Sequence, residues 1–492
     1  MASTEALLSE GGDCRLALDP VSGRSRYGCM ARADSGPAQF SSATASTISP
    51  EGFTAAARLR DRLAIVDDRE SGGVYARELD RVRAELIDLC GLGGEPGLDV
   101  VFAASGTDLH LLVADLFAGP AASETLCIDV EPEETGSGVP RALGGRHFSG
   151  WTPLGSPVVE GAAIAAGGTA FVALAARGPD GALRPAAEIE AELESLTHRA
   201  AREGRKVLLT VTDVSKTGLI SPGLDAVLAL RRRFPQNLDV LIDACQFRLS
   251  AESLRAYVAH GFLVAVTGSK FISGPTFSAA LLVPQAAAAT LRTRLPRPGV
   301  RAYSAGAEWP AHWVARPAMT EAVNFGLLLR WEAALAELRA FRALPEVEVD
   351  AFARRFAGAV QARLESDPVF EPLATRAPDR AAIGAGGGWD AAQSIFPFLL
   401  RHTGEAHDGY LSLAATQDVY RGLMSAPAPV VLGQPVRCGE RGARPISALR
   451  LCNSARLIVE GVANGDAVIA RTLVALDRVA EAARAMSATG RV

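Results

Sequence analysis

Two stretches of the sequence decide the fold: IDACQ, residues Ile242–Gln246, and VTGSKFISGPTFSAALLVP, residues Val266–Pro284. Each belongs to a short apolar run typical of a buried strand, and the interval between them is long enough for one helix. Asp243 and Lys270 stand at the ends of these runs. Because parallel strands joined by a crossover helix end at the same edge of a sheet, we expect this acid and this lysine to converge on one site.

The surrounding sequence repeats the same alternation of buried strands and helices. Seven aliphatic runs are predicted as strands: Asp99–Ala103, Thr125–Val130, Ala170–Leu174, Val207–Thr212, Asp239–Ile242, Leu263–Thr267 and Ala279–Val283. Helices are predicted over Thr107–Phe117, Ala187–Arg202 and Asp225–Arg233, each with a capping residue or an acidic first turn. This order predicts an α/β domain with one doubly wound sheet, in which ligands bind at strand-to-helix junctions.

The flanks of this domain have different patterns. Residues 1–74 are rich in Ser, Ala and Gly and are interpreted as an N-terminal arm, followed by the large domain over 75–320. A long 3.6-residue apolar period over 321–344 predicts a helix that links the two lobes. The second lobe, 345–492, has strand-like pieces at Ala448–Cys452 and Arg456–Val459, a closing helix over Asp466–Met486 and a glycine-rich turn at Gly384–Gly388.

Composition favours small-molecule chemistry. The chain of 492 residues has a net charge of −5, which gives no basic field for nucleic acid or anionic membrane, and no apolar run reaches membrane-spanning length. Its seven cysteines are far apart, which is typical of reduced thiols, and no CxxC pair suggests a metal, so a cytoplasmic location is expected. Only Lys206, Lys216 and Lys270 are available for lysine chemistry.

The pairing of IDACQ with the later TGSK and Gly-Pro resembles the fold type I enzymes that use pyridoxal 5′-phosphate (PLP), and most closely the class V aminotransferase and cysteine desulfurase group. The resemblance implies a seven-stranded, mostly parallel sheet with a smaller C-terminal α+β domain. It implies that Lys270 forms the Schiff base with PLP and moves the Cα proton. It also implies that Asp243 pairs with the pyridine nitrogen and that Gln246 binds the phenolic oxygen.

Further cofactor contacts follow from the same resemblance. Ser105, Gly106 and Thr107 stand at a predicted helix N-terminus, which offers free N–H groups to a phosphate, and Thr267 matches a hydroxyl that binds phosphate in the family. A matching threonine in dimeric relatives implies that Thr320 caps the cofactor phosphate of a partner subunit. We therefore expect a homodimer with its active sites at the interface.

Some positions depart from the family pattern. Ser269 stands where the family commonly has a histidine, next to the lysine. The contact to the face of the cofactor falls either to Thr135, without an aromatic ring, or to His147 from farther along. Ser215 and Lys216 replace an asparagine near the phenolic oxygen, and Lys216 is either solvated or in contact with substrate.

A substrate carboxylate needs a bidentate cation. The stretch SALRLCNSARLI, residues Ser447–Ile458, resembles the family strand that carries such an arginine. Arg450 is our prediction and Arg456 is the alternative.

These motifs predict a transferase or lyase that forms an external aldimine and a Cα carbanion on an amino acid-type substrate, with S-adenosylmethionine-like substrates included. An ordinary aminotransferase is the alternative. A cysteine desulfurase would need Cys438, in the predicted loop VRCGERG, as its nucleophile. A PLP-fold protein without catalysis is a further alternative, and the sequence contains neither GxGxxG after a strand nor a GxxxxGK[ST] loop.

Overall fold

The computed structural model describes residues 1–33, 36, 38–119, 124–402, 409–441 and 444–488. The helices are α1 (Thr4–Leu8), α2 (Pro50–Ala64), α3 (Ser71–Leu89), α4 (Gly106–Phe117), α5 (Val139–Leu143), α6 (Ala186–Arg202), α7 (Leu224–Arg233), α8 (Ala251–Ala259), α9 (Gln285–Leu291), α10 (Ala315–Ala318), α11 (Phe325–Arg342), α12 (Glu346–Glu365), α13 (Leu413–Ser425) and α14 (Ala455–Ala488). The strands are β1 (Ala38–Phe40), β2 (Asp99–Ala103), β3 (Thr125–Val130), β4 (Ala170–Leu174), β5 (Lys206–Asp213), β6 (Ile220–Ser221), β7 (Leu238–Ala244), β8 (Leu263–Thr267), β9 (Ala279–Val283), β10 (Phe370–Pro372), β11 (Ile395–Leu400), β12 (Val430–Arg441) and β13 (Arg444–Cys452).

The larger sheet has the order β2-β9-β8-β7-β5-β3-β4, and the short β6 pairs with β5 outside this path. Neighbours from β8 to β4 are parallel, while β9 is antiparallel to both β2 and β8. The predicted mostly parallel sheet is confirmed, and its strands begin and end within two residues of the predicted bounds. Every residue of β2, β8 and β9 is buried, because helices cover both faces of the sheet.

The smaller sheet joins the two ends of the sequence. Its order is β1-β12-β13-β11-β10, and β1 from the N-terminal arm runs parallel to β12, with Ala38 opposite Val430. The arm is therefore ordered, and it also contains α2, which Ser49 caps and which packs against α11. The proposed domain bounds stay a prediction, although α3 runs through the one placed between residues 74 and 75.

Three local predictions are wrong or need shorter bounds. Arg456–Val459 is helical, because Ser454 caps the first turn of α14 by accepting a hydrogen bond from the Leu457 amide, and an apolar run of four residues does not distinguish strand from helix. Cys438 lies in strand β12 rather than in a loop. The linking helix begins at Phe325, because the side chain of Asn324 accepts a hydrogen bond from the Leu327 amide at 2.9 Å.

A buried ion pair connects the larger sheet to the C-terminal part of the chain. Asp213, the last residue of β5, accepts hydrogen bonds from Arg380 Nε at 2.7 Å and from Tyr257 Oη at 2.5 Å. The side chains of Asp213 and Arg380 are 0% and 1% exposed. Asp390 lies 3.6 Å from the same guanidinium. Removing one partner of such a buried group is destabilising, because the remaining charge stays buried.

Candidate functional site

A cavity of about 260 Å³ lies at the carboxyl ends of the central parallel strands. Ligands bind at this edge in open α/β sheets, because the loops that follow adjacent strands separate there. The cavity brings together eleven of the predicted site residues: Ser105, Gly106, Thr107, Thr135, Lys216, Asp243, Gln246, Thr267, Ser269, Lys270 and Arg450. The predicted convergence of Asp243 with Lys270 is therefore present in the structure.

Asp243 is held as a negative charge at the end of β7. Its Oδ1 accepts a hydrogen bond from the Cys245 amide at 3.0 Å, and its Oδ2 lies 3.4 Å from His110 Nε2. Burial alone would raise the pKa of Asp243, but the charges of His110 and Lys270 lower it well below its ordinary value.

His110 is a site residue that the sequence analysis missed. It lies one turn into α4, and its Nδ1–H donates to the carbonyl of Gly106 at 2.7 Å, which turns Nε2 toward Asp243. Burial lowers the pKa of His110, but Asp243 outweighs that effect and raises it to about 8. In the sequence, the only indication was that His110 stands four residues after Gly106, which places both on one face of the helix.

Lys270 lies in a loop that aromatic packing holds in place. The next residue, Phe271, stacks on Trp389 with ring centroids 5.1 Å apart and an interplanar angle of 10°, and it meets Phe341 edge-on. The Phe271 amide also donates to the carbonyl of Gln246. This packing fixes the backbone of Lys270 while its side chain lines the cavity.

The N-terminus of α4 faces the same cavity. Ser105 caps the helix through a capping box with Asp108, which leaves the Gly106 and Thr107 end of the helix toward the cavity. Position 106 requires glycine, because a Cβ there would lie 2.7 Å from Cys245 Sγ. Thr267 lies beside it and donates to the carbonyl of Cys245 at 2.7 Å.

Arg15 of the N-terminal arm reaches this helix end. Its Nη2 donates to Ser105 Oγ and its Nη1 to Thr107 Oγ1, both at 3.1 Å, and Asp13 pairs with the same guanidinium at 2.6 Å. The arm therefore adds a cation to the hydroxyl groups that the sequence assigned to a phosphate. No periodicity or motif around Arg15 predicts this contact from the sequence.

The arm also covers Gln246 and Arg450. Gln246 Nε2 donates to the carbonyl of Ala43 at 3.0 Å, and its Oε1 is buried without a hydrogen-bond partner in the described part of the chain. Arg450 Nη2 donates to Thr44 Oγ1 at 2.8 Å. Gln246 is one of the residues that line the cavity, and an amide oxygen without a partner fits a position that contacts a bound molecule.

Arg456, the alternative carboxylate ligand, lies outside the cavity lining. Its guanidinium pairs with Glu337 at 2.6 Å and donates to the carbonyl oxygens of Thr47 and Ser273. Arg450 therefore fits the carboxylate role better.

Three other predicted residues lie outside the cavity lining. Ser215 is buried and donates to Glu134 Oε2 at 2.6 Å. His147 Nδ1 lies 2.6 Å from Tyr303 Oη, so Thr135, which does line the cavity, fits the face contact better. Thr320 is exposed and donates to the carbonyl of Arg301; its assignment to the site of a partner subunit stays a prediction.

The cysteine required for a desulfurase is poorly placed. Cys438 is 5% exposed, lies outside the cavity lining and contacts the carbonyl of Ile446 through Sγ at 3.7 Å. Burial raises the pKa of its thiol to about 11, so little thiolate forms at neutral pH. The described residues also hold no group of three His, Cys, Asp or Glu side chains suited to a metal ion.

The fold has counterparts among solved structures. The cystine C–S lyase C-DES, in complex with its reaction product cysteine persulfide, is 14% identical, with a TM-score of 0.54; the match covers 89% of this chain and 98% of that chain. A structure of SPT with PLP has 14% identity, a TM-score of 0.50 and coverage of 92% and 88%. Serine palmitoyltransferase from Sphingomonas wittichii has 13% identity, a TM-score of 0.51 and the same coverage.

These similarities show that the chain has the fold of fold type I PLP-dependent enzymes, as the sequence predicted. No protein-family model and no curated protein matches the sequence. Among the helices of the described residues, none is both long and apolar enough to cross a membrane.

Proposed function

We propose that the protein is a PLP-dependent enzyme that acts on an amino acid, with Lys270 as the residue that binds the cofactor covalently. The observation that carries this proposal is the meeting of Lys270, Asp243 and the N-terminus of α4 in one cavity of the larger sheet. The fold is shared with C-DES and serine palmitoyltransferase, which supports the same conclusion.

The residues present fit the cofactor. The helix N-terminus, the hydroxyl groups of Ser105, Thr107 and Thr267, and the guanidinium of Arg15 would hold its phosphate. The orphaned Oε1 of Gln246 marks a second polar contact. The cavity thus offers cationic and hydroxyl groups at one end and the Asp243 carboxylate at another position of its wall.

Each of the chain's own groups has a chemical task. Bound PLP supplies an electron sink for the negative charge that develops at the Cα of an amino acid. Asp243, whose low pKa keeps it ionised, holds a proton on the ring nitrogen, and His110 keeps that carboxylate in place. The Lys270 amine takes the Cα proton and returns it, while Arg450 orients the substrate through its carboxylate.

We propose a transferase or lyase rather than an ordinary aminotransferase, because Lys216 occupies the loop where the family has an asparagine. An S-adenosylmethionine-like substrate fits less well, since its sulfonium would enter a cavity lined by Lys216, Lys270 and Arg450. A homodimer in the cytoplasm is also proposed, with exposed Thr320 serving the site of the partner subunit.

The test is covalent attachment of the cofactor. Purified protein mixed with PLP should show the near-visible absorption of a lysine-bound cofactor, and reduction with borohydride should leave one cofactor mass on the peptide that contains Lys270. Lys270→Ala should lose both signals, whereas Lys206→Ala, at an exposed position of β5, should keep them. Absence of the absorption in wild type, or equal labelling of Lys206, would overturn the proposal.

The requirement for a co-substrate distinguishes an aminotransferase from a lyase. An aminotransferase consumes its amino acid stoichiometrically unless a keto acid is added, whereas a lyase turns over without one. Turnover that depends on an added keto acid identifies an aminotransferase, and turnover without one identifies a lyase. A transferase of the replacement or C–C bond-forming kind needs a different co-substrate and turns over under neither condition.

A further inference from the structure

Arg450 is a buried cation without an acidic partner among the described residues. It is 2% exposed, and its guanidinium donates to Thr44 Oγ1 at 2.8 Å and to the carbonyl oxygens of Gln434 and Lys216 at 2.6 and 3.4 Å. Its Nε has no acceptor in the part of the chain that the structure covers. All of these contacts are neutral, so they position the charge without neutralising it.

Lys216 is a second cation in the same wall. Its Nζ donates to the carbonyl of Pro132 at 2.8 Å, which is again a neutral partner, and its own carbonyl accepts from Arg450. Burial and the positive charges of Arg450 and Lys270 together lower the pKa of Lys216 to about 7. The part of the cavity wall formed by Lys216 and Arg450 therefore carries more positive than negative charge.

Glu134, an acid that also lines the cavity, already has hydrogen-bond and ion-pair partners. Its carboxylate accepts hydrogen bonds from Arg177 Nε at 2.9 Å, from Thr217 Oγ1 at 2.7 Å and from Ser215 Oγ at 2.6 Å. Arg177 and Glu134 form an ion pair that is 5% and 2% exposed. Glu134 is thus paired with Arg177, and together with Glu133 it offsets the charge of Lys216 only in part.

The remaining cations of the cavity have other positions or partners. Arg15, at the helix end, is paired with Asp13. Arg26 lines the cavity from the arm, is exposed to solvent, and stands 5.9 Å from the Tyr27 ring centroid.

Lys270 and His110 also line the cavity, and their charges act on Asp243. Apart from the exposed Arg26, Arg450, which is buried, and Lys216, which is half-buried, are therefore the two cations of the lining for which the described residues provide no carboxylate partner, and a bound anion would offset their charge.

We infer that the substrate is an amino acid whose side chain carries a second anionic group: a carboxylate, or an oxyacid of sulfur or phosphorus. Arg450 binds the α-carboxylate and Lys216 binds the side-chain anion. A neutral amino acid would leave one of the two cations unpaired after binding. That the substrate has an amine follows from the proposed function, whereas the recognition of two anions is argued from the cavity residues alone.

The cavity can be tested with succinate, a dianion without an amine, against succinamate, which has the same shape and one charge fewer. Calorimetry on the cofactor-free protein should show succinate binding at least about tenfold more tightly, as a charge-assisted hydrogen bond requires. Lys216→Met should remove that preference, and Lys206→Met should leave it intact. Equal binding of the two probes to wild type would overturn the inference without any variant.

The second arm uses the cofactor-loaded protein and matched amino acids. L-Glutamate and L-aspartate should change the cofactor absorption at concentrations at least about tenfold below those of L-glutamine and L-asparagine. L-Cysteine sulfinate and O-phospho-L-serine distinguish the oxyacids. If PLP binds Lys270 but the amides act as well as the acids, the inference is wrong and the proposed function stands. If PLP fails to bind but succinate is preferred, only the proposed function is wrong.

Discussion

Replacing Lys216 with methionine should stabilise the cofactor-free protein, and by more at pH 6 than at pH 9. The ammonium belongs to a half-buried side chain, and among the described residues its hydrogen-bond partner is the carbonyl of Pro132. Its pKa falls from an ordinary 10.5 to about 7 on folding. The unfolded chain therefore binds this proton more strongly than the folded protein, so the charge opposes folding at and below neutral pH.

The size of the effect follows from the two pKa values. The cost is complete below pH 7 and disappears as the pH rises toward 10.5. At about 1.4 kcal/mol per pKa unit, it is about 5 kcal/mol at pH 6 and about 2 kcal/mol at pH 9. Methionine keeps the bulk of the side chain, and loss of the bond to Pro132, about 1 kcal/mol, is the same at both pH values. The gain in the free energy of unfolding should be about 3 kcal/mol larger at pH 6.

Denaturant unfolding of wild type and Lys216→Met at both pH values measures this difference, with Lys206→Met as the control that should show no pH-dependent gain. The three lysines of the chain also permit a direct titration, since protein labelled with ¹³C-lysine gives three side-chain signals. The signal missing from Lys216→Met should titrate near pH 7. A midpoint near 10.5, or an equal gain at both pH values, would refute the reasoning.

Three further predictions test other parts of the structure. Arg15→Ala should weaken PLP binding about tenfold in an absorbance titration, but it should leave the binding of pyridoxal, which lacks the phosphate, unchanged. An equal loss of affinity for both compounds would show that Arg15 does not bind the phosphate. Asp213→Asn should cost roughly 3 kcal/mol in denaturant unfolding, because it leaves the buried charge of Arg380 with the more distant carboxylate of Asp390, 3.6 Å away. Glu460→Gln, in an exposed pair, should cost less than about 1 kcal/mol, and similar costs for the two variants would contradict this reasoning. Cys438→Ala should keep amino acid turnover, measured as product formed, because the thiol lies outside the cavity lining. Loss of turnover would support the cysteine desulfurase hypothesis.

The larger sheet was predictable because its strands are buried on both faces. Such strands appear in the sequence as continuous aliphatic runs, and the residues at or just beyond their carboxyl ends, Asp243 and Lys270, must share one edge. The helix N-terminus at Ser105 was predictable for the same local reason, since a cap precedes the apolar period. These features depend on short stretches of sequence.

The arm side of the site was not predictable, because its contacts join residues that are far apart in the chain. Arg15 reaches Thr107, and Thr44 reaches Arg450, with no periodic pattern around either arm residue. His147 was uncertain for a similar reason, since only the fold shows that it bonds to Tyr303 instead of entering the cavity. Long-range polar contacts leave little trace in a single sequence.

The pairing of β1 with β12 sets an order of events during synthesis on the ribosome. Ala38 leaves the ribosome 392 residues before its partner Val430 (430 − 38). All strands of the larger sheet precede Val430 in the chain and can form before it emerges. Ala43 and Thr44, which follow β1 and line the cavity, can take their places only afterwards. A nascent chain thus passes through a stage in which the larger sheet is complete and Ala43 and Thr44 do not yet cover the cavity, which gives the cofactor a wider route of entry until β12 pairs with β1.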